Sequence, residues 1–171
     1  MKWSPALIAA MAISSIHPNM SRAEDAQVTR GRYLVQISGC NDCHTPGYLL
    51  GRADPSRFLG GSDIGIEAPG VGTFVAPNLT PDKGSGLGNW DKQEIVTAIR
   101  TGVRPDGRVL APIMPWRGYA ALTDADASAI VEYLRTLPPV VHKVPGPFGP
   151  NEKPAIFRMT VVPPDGAHQP Q

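Results

Sequence analysis

The chain is poor in cysteine, with two in 171 residues, and it carries no excess of either charge: 16 Lys and Arg stand against 15 Asp and Glu. That balance argues against nucleic-acid binding, which calls for a basic excess. It also makes long-range steering weak, so docking must rely on local patches. Aromatic residues are few, at 6%. No stretch is apolar for the roughly 20 residues that a membrane-spanning helix needs. There is no internal repeat. Nor is there an acid/base pair, a nucleophile elbow or a phosphate-binding loop to support catalysis.

What is present begins with an export signal. Lys2 supplies a short positive start, and Pro5 to Ile16 are mostly apolar. Ser21-Arg22-Ala23 offers small residues at the two positions a signal peptidase reads. No twin-arginine pair precedes the apolar run, which favours the general secretory route. Residues 1–23 are thus expected to be a signal peptide, with Glu24 opening a periplasmic chain that keeps no transmembrane segment. Cleavage there removes Lys2 and Arg22, leaving 14 basic residues against 15 acidic. The remaining chain, about 148 residues, is one domain's worth. Glycine and proline are abundant, at 18 and 19, yet below the share that signals disorder. They suit loops that wrap a large flat ligand.

Both cysteines sit in Cys40-Asn41-Asp42-Cys43-His44. A Cys-x-x-Cys-His run is the attachment signature of c-type haem. Each thiol adds to one vinyl group of the porphyrin, and the spacing places both sulfurs along one haem edge. The histidine that follows is carried beneath the ring to the iron. Three other readings compete. A simple disulfide is possible in an exported chain. A thioredoxin-like pair wants a preceding strand and a βαβ pattern, and neither is found. Zinc needs two more ligands, and His142 and His168 are too isolated to supply them. One covalently attached haem c is the cofactor that the sequence supports.

Three helices are legible. The first is expected from near Asp25, as N-cap, to about Gly39, with Val28, Leu34 and Val35 at helical spacing. Gly31 lies inside it, where glycine costs about 1 kcal/mol against alanine, which suggests a close helix crossing. A second helix starts around Asp91, with Glu94 in its first turn and Ile95, Ala98 and Ile99 as its buried stripe, and ends at Gly102. Thr123 caps the third, whose stripe is Ala127, Ile130, Val131, Leu134 and Leu137. Pro138 and Pro139 stop it. Ile64–Ile66 and Thr73–Val75 flank Ala68-Pro69-Gly70 and form a candidate β-hairpin. Residues 141–171 make a proline-rich, extended tail. The fold class is therefore all-α: three or more helices around one haem, with long Gly/Pro-rich loops and a possible small hairpin. The domain proper spans residues 24–140.

In this arrangement the chain resembles a class I cytochrome c. More narrowly, it resembles the haem domains in cytochrome subunits of bacterial periplasmic dehydrogenases for alcohols, aldehydes and sugar acids. The matching pieces are Gly31-Arg32-Tyr33-Leu34, Cys43-His44-Thr45, Asn78-Leu79-Thr80-Pro81-Asp82, Gly86-Leu87-Gly88-Asn89-Trp90, Met114-Pro115-Trp116 and Tyr133-Leu134-Arg135. Those subunits typically carry three such domains and a membrane-binding end, whereas this chain has one haem motif. The resemblance implies that the first and last helices cross near Gly31 and near Tyr133-Leu134. It also implies a second axial ligand opposite His44, shortly before the third helix. Met114 fills that place, between Pro112 and Pro115; Met159, in the tail, is the rival. A proline carbonyl should accept the other ring proton of His44, and both Pro46 and Pro77 qualify. Asn78 and Trp116 are counted with the haem-binding residues. Trp90, Trp116 and Tyr119 pack on the haem or bond a propionate, or else belong to the plain core. One of Arg100, Arg104 and Arg108 could neutralise a propionate. His142 and His168 read as surface residues.

The expected function is single-electron transfer in the periplasm. Electrons would pass from a dehydrogenase, with the chain as its subunit or acceptor and a hetero-oligomer possible, to a downstream acceptor. A thioether opposite an imidazole raises the reduction potential, which suits that role. The alternative is a haem enzyme or gas sensor with an open sixth iron position.

Overall fold

The computed structural model describes residues 18–160 and 162. The apolar part of the expected signal, up to residue 17, lies outside the described residues, as does His168.

Helix α1 runs over Pro18–Ile37, which corrects the expected start at Asp25. Proline is tolerated at the first helical position, and nothing between Ser21 and Ala26 breaks a helix. Asp25 is an exposed interior residue of α1. The helix stops two residues before Gly39, which turns the chain at φ 66° into α2, Cys40–His44. Two short 3-10 turns, Tyr48–Leu50 and Pro55–Arg57, follow. Strands β1, Ile64–Ala68, and β2, Gly72–Val75, pair antiparallel with Gly65 opposite Val75 and Ala68 opposite Gly72. This is the expected hairpin. Helix α3, Lys92–Thr101, opens on a capping box in which Asp91 and Glu94 each bond the other's backbone N–H, and closes on left-handed Gly102. A single turn, α4 at Trp116–Tyr119, precedes α5 at Asp124–Thr136, which Thr123 caps through the Asp126 N–H.

The core lies where α1 crosses α5. Leu34 and Val35 from one helix meet Ala129, Ile130, Tyr133 and Leu134 from the other, with Leu59 from the loop between. Burying each large side chain contributes about 1.5–3 kcal/mol. Gly31 makes the crossing possible: a Cβ there would stand 1.9 Å from the Ala129 carbonyl oxygen and 2.8 Å from Tyr133 Cβ. Arg30 bonds Asp126 at 2.8 Å on the rim of the same crossing, and Lys92 bonds Glu132 at 2.6 Å between α3 and α5.

The all-α expectation needs one further correction. The tail returns to the hairpin as β3, Phe157–Thr160, which pairs parallel with β1 and completes a three-stranded sheet of order β2-β1-β3. All four β3 residues are exposed. The strand is held by its ladder and by Glu67, which accepts from Thr160 Oγ1 at 2.9 Å and lies 3.5 Å from Arg158. No helix among the described residues is long and apolar enough to cross a membrane.

Candidate functional site

The site is assembled around α2. Residues three and four apart share a helix face, so this single turn puts Cys40, Cys43 and His44 on one side. The two thiols are free and half-buried. Burial pushes the Cys40 thiol up to about 11 and moves Cys43 in the same direction. Both are therefore neutral thiols near pH 7, and thiols are what add across a vinyl group.

His44 is 4% exposed and is held at two points. Its Nδ1 donates to the Pro77 carbonyl at 2.7 Å, and its own carbonyl accepts from the Gly61 N–H at 2.8 Å. Burial drives its protonation down, while the Pro77 bond opposes that shift. With Nδ1 carrying the proton, Nε2 keeps a lone pair. This geometry separates the two candidate prolines, because the Pro46 carbonyl accepts instead from the Asp54 N–H at 2.9 Å. Next in the chain, buried Thr45 donates to Asn41 and accepts from the Leu59 N–H, which pins α2 to the core.

Asn78, 1% exposed, fills its hydrogen-bonding capacity within the protein. Its oxygen accepts from the Thr80 N–H and hydroxyl, and its amide donates to Ser85 Oγ and the Val140 carbonyl. It therefore fixes the segment that carries the Pro77 carbonyl and has no donor left for a ligand.

Met114 is half-buried in the Pro112–Pro115 loop, its N–H bonded to the Ala111 carbonyl. The rival, Met159, lies exposed on β3 opposite Ile66. Two residues beyond Met114, the Trp116 ring packs over Gly102, where a Cβ would come within 2.6 Å of it. The Arg117 guanidinium stands 4.3 Å from the centre of the indole. Trp116 Nε1 is the one buried side-chain polar atom without a partner among the described residues. One turn further, Tyr119 donates to the Ser38 carbonyl at 2.8 Å, which ties α4 to the junction of α1 and α2. Burial, reinforced by the neighbouring Cys40 and Cys43, pushes the Tyr119 phenol up to about 12. The segment that carries Met114 is thereby tied to the segment that carries the cysteines.

Other expected residues lie elsewhere. Arg100 pairs with Asp124, and Arg104 and Arg108 both pair with Asp106. Trp90 lies under Arg104 and lines a cleft of about 290 Å³ with Leu79, Leu87, Ile95 and Leu134. His142 is corrected from surface residue to half-buried anchor: its Nδ1 donates to the Gly60 carbonyl at 2.7 Å. Ser38, Gly60, Gly61 and Ser85 enter the site's framework through backbone or hydroxyl bonds that leave no mark in a sequence. Among the described residues no three His, Cys, Asp or Glu side chains gather as a metal cluster.

These residues fit a covalently held haem. Two unpaired thiols and a tautomer-fixed imidazole share one helix face, and an unsatisfied indole N–H is buried on the element that follows Met114.

Comparison with known proteins agrees. The family model described as Cytochrome C oxidase, cbb3-type, subunit III matches residues 26–134. The alcohol dehydrogenase (quinone) cytochrome c subunit of Gluconobacter oxydans (strain 621H) is 34% identical over 128 residues, 75% of this chain and 25% of that protein. The fructose dehydrogenase cytochrome subunit of Gluconobacter japonicus is 34% identical over 119 residues, 70% of this chain and 23% of that protein. The gluconate 2-dehydrogenase cytochrome c subunit of Pantoea cypripedii is 33% identical over 155 residues, 87% of this chain and 33% of that protein. The chain thus spans about a quarter to a third of the length of these curated relatives.

Proposed function

This chain belongs to the c-type cytochrome family so described, and from that membership we propose that it carries single electrons in the periplasm through one haem c. Cys40 and Cys43 hold the haem by thioethers, and His44 Nε2 and Met114 Sδ ligate the iron. The haem supplies the reversible ferric/ferrous couple. The protein's part is to keep both ligands in place in both oxidation states, so that transfer needs little rearrangement.

The observation that carries this reading is the His44 Nδ1 bond to Pro77 at 2.7 Å. Such an outer bond fixes the tautomer and raises the basicity of a metal-binding imidazole. Trp116, with its buried N–H, forms part of the haem pocket wall. Asn78 acts indirectly, by holding the segment that carries Pro77.

The electron donor is a periplasmic dehydrogenase, with this chain as subunit or acceptor, and a respiratory component takes the electrons onward. The names of the relatives support the dehydrogenase as partner. Residues 1–23 are removed on export.

An absorption spectrum of protein matured in a bacterial periplasm tests the reading. The expected result is a low-spin ferrous spectrum unaltered by carbon monoxide, with a methionine-to-iron charge-transfer band in the ferric form. Rapid carbon monoxide binding to high-spin ferrous iron would replace this reading with an enzyme or sensor whose sixth position is open.

A further inference from the structure

Beyond α5 the chain does not leave the site. Residues 140–144 run extended across the two loop segments that hold His44, and all of them lie past the residue 26–134 family match. On one flank, Val140 accepts from Asn78 Nδ2 at 2.7 Å and donates its N–H to Thr80 Oγ1 at 3.0 Å. The His142 N–H donates to Ser85 Oγ at 3.0 Å, and that hydroxyl also bonds Asn78. Asn78 directly follows Pro77, the acceptor of the His44 ring proton. On the other flank, His142 Nδ1 donates to the Gly60 carbonyl at 2.7 Å, and the next residue, Gly61, donates to the His44 carbonyl. Val140 and Val144 lie so close over these glycines that a Cβ on Gly60 would meet Val140 Cγ1 at 2.9 Å. One on Gly61 would meet Val144 Cγ1 at 2.6 Å.

We infer that residues 140–144 form a strap that bridges the two anchors of His44, that His142 is its positioning residue, and that the strap sets the strength of the His44–Pro77 bond and through it the reduction potential. The inference rests on the proposed ligation of iron by His44. A strong bond from Nδ1–H to a carbonyl makes the imidazole a more basic ligand and favours ferric iron. Loosening the strap lets the Pro77 and Gly60 segments move apart, weakens that bond and favours ferrous iron. The potential therefore rises.

The test uses the full, haem-loaded chain. Wild-type protein is first shown to be low-spin and resistant to carbon monoxide; failure at that step overturns the function reading itself. His142→Phe keeps the ring but removes the donor. The equilibrium is expected to move toward ferrous iron by about threefold, which is about 28 mV at 59 mV per decade for one electron. The ferric EPR g-values, which report the axial imidazole, are expected to move with it. His142→Asn keeps an N–H donor near the same position and is expected to restore both readouts. Ser85→Ala, which cuts the strap at its other anchor, is expected to shift the potential in the same direction and serves if His142→Phe does not fold. Gln93→Ala, at an exposed, uncharged position of α3 outside the strap, is the control and is expected to leave the potential alone. Unchanged potential and EPR in both His142→Phe and Ser85→Ala would overturn the strap, as would a loss of thermal stability with no change in either readout. So would a potential that falls.

Discussion

Asn78 shows how much one side chain can hold. Its amide joins the Thr80 backbone, the Ser85 hydroxyl and the Val140 carbonyl at 2.7–3.1 Å, so its removal leaves several buried polar groups without partners. A stranded buried group costs about 1–3 kcal/mol. Asn78→Ala is therefore expected to lower unfolding stability by about 3 kcal/mol, read as a lower urea midpoint at unchanged m-value. The motif around Asn78 was visible in the sequence, but its task was not. An asparagine in a loop is equally able to face a ligand or its own backbone, and only the fold decides. The choice between Pro46 and Pro77 was undecidable for a related reason. Backbone carbonyls carry no side-chain signature, and the pairing of His44 with Pro77 spans 33 residues. Cys40, Cys43 and His44 could be singled out together because the chemistry proposed for them depends on spacing along the chain, which a sequence states directly.

Among the elements, the crossing of α1 and α5 sets the tightest constraint. Gly31→Ala would gain about 1 kcal/mol of helix propensity. Its Cβ, however, would fall 1.9 Å from a backbone oxygen of the facing helix. Neither helix can yield by a rotamer change, so they must part, and overpacking of this kind costs about 3 kcal/mol. The net effect is expected to be destabilising, with a lower thermal midpoint by calorimetry; an unchanged or higher midpoint would contradict the crossing. Helix α5 was legible because Ala127, Ile130, Val131 and Leu134 of its stripe are buried and Thr123 caps it, though Leu137 falls just past its end. The start of α1 was misplaced because Arg22 to Ala26 are exposed, and an exposed helical segment shows neither a stripe nor a stop. Strand β3 left no signal at all: each of its residues faces solvent, so the alternation that marks a half-buried strand is missing.

For the molecule as a whole, the same exposure yields a further expectation. Arg22 to Ala26 are exposed, whereas Val28 packs against the core. An Asp25→Ala form is expected to match the parent chain within about 0.5 kcal/mol, the usual range for surface changes. Parallel urea titrations of the two forms would check this, and a larger loss would mean that Asp25 supports the fold. The fold also has an order in time. Two partners that hold His44 are made later than the turn of Cys40–His44 itself: Gly61 and Pro77. Synthesis proceeds from the N-terminus, and contacts between distant segments wait on the closure of long loops. The turn is therefore born with α1 beside it but without the two anchors of His44. On the proposed haem attachment, the cysteines can meet their haem before Gly61 and Pro77 close over His44, so sequence order sets ligation ahead of the final packing of the site.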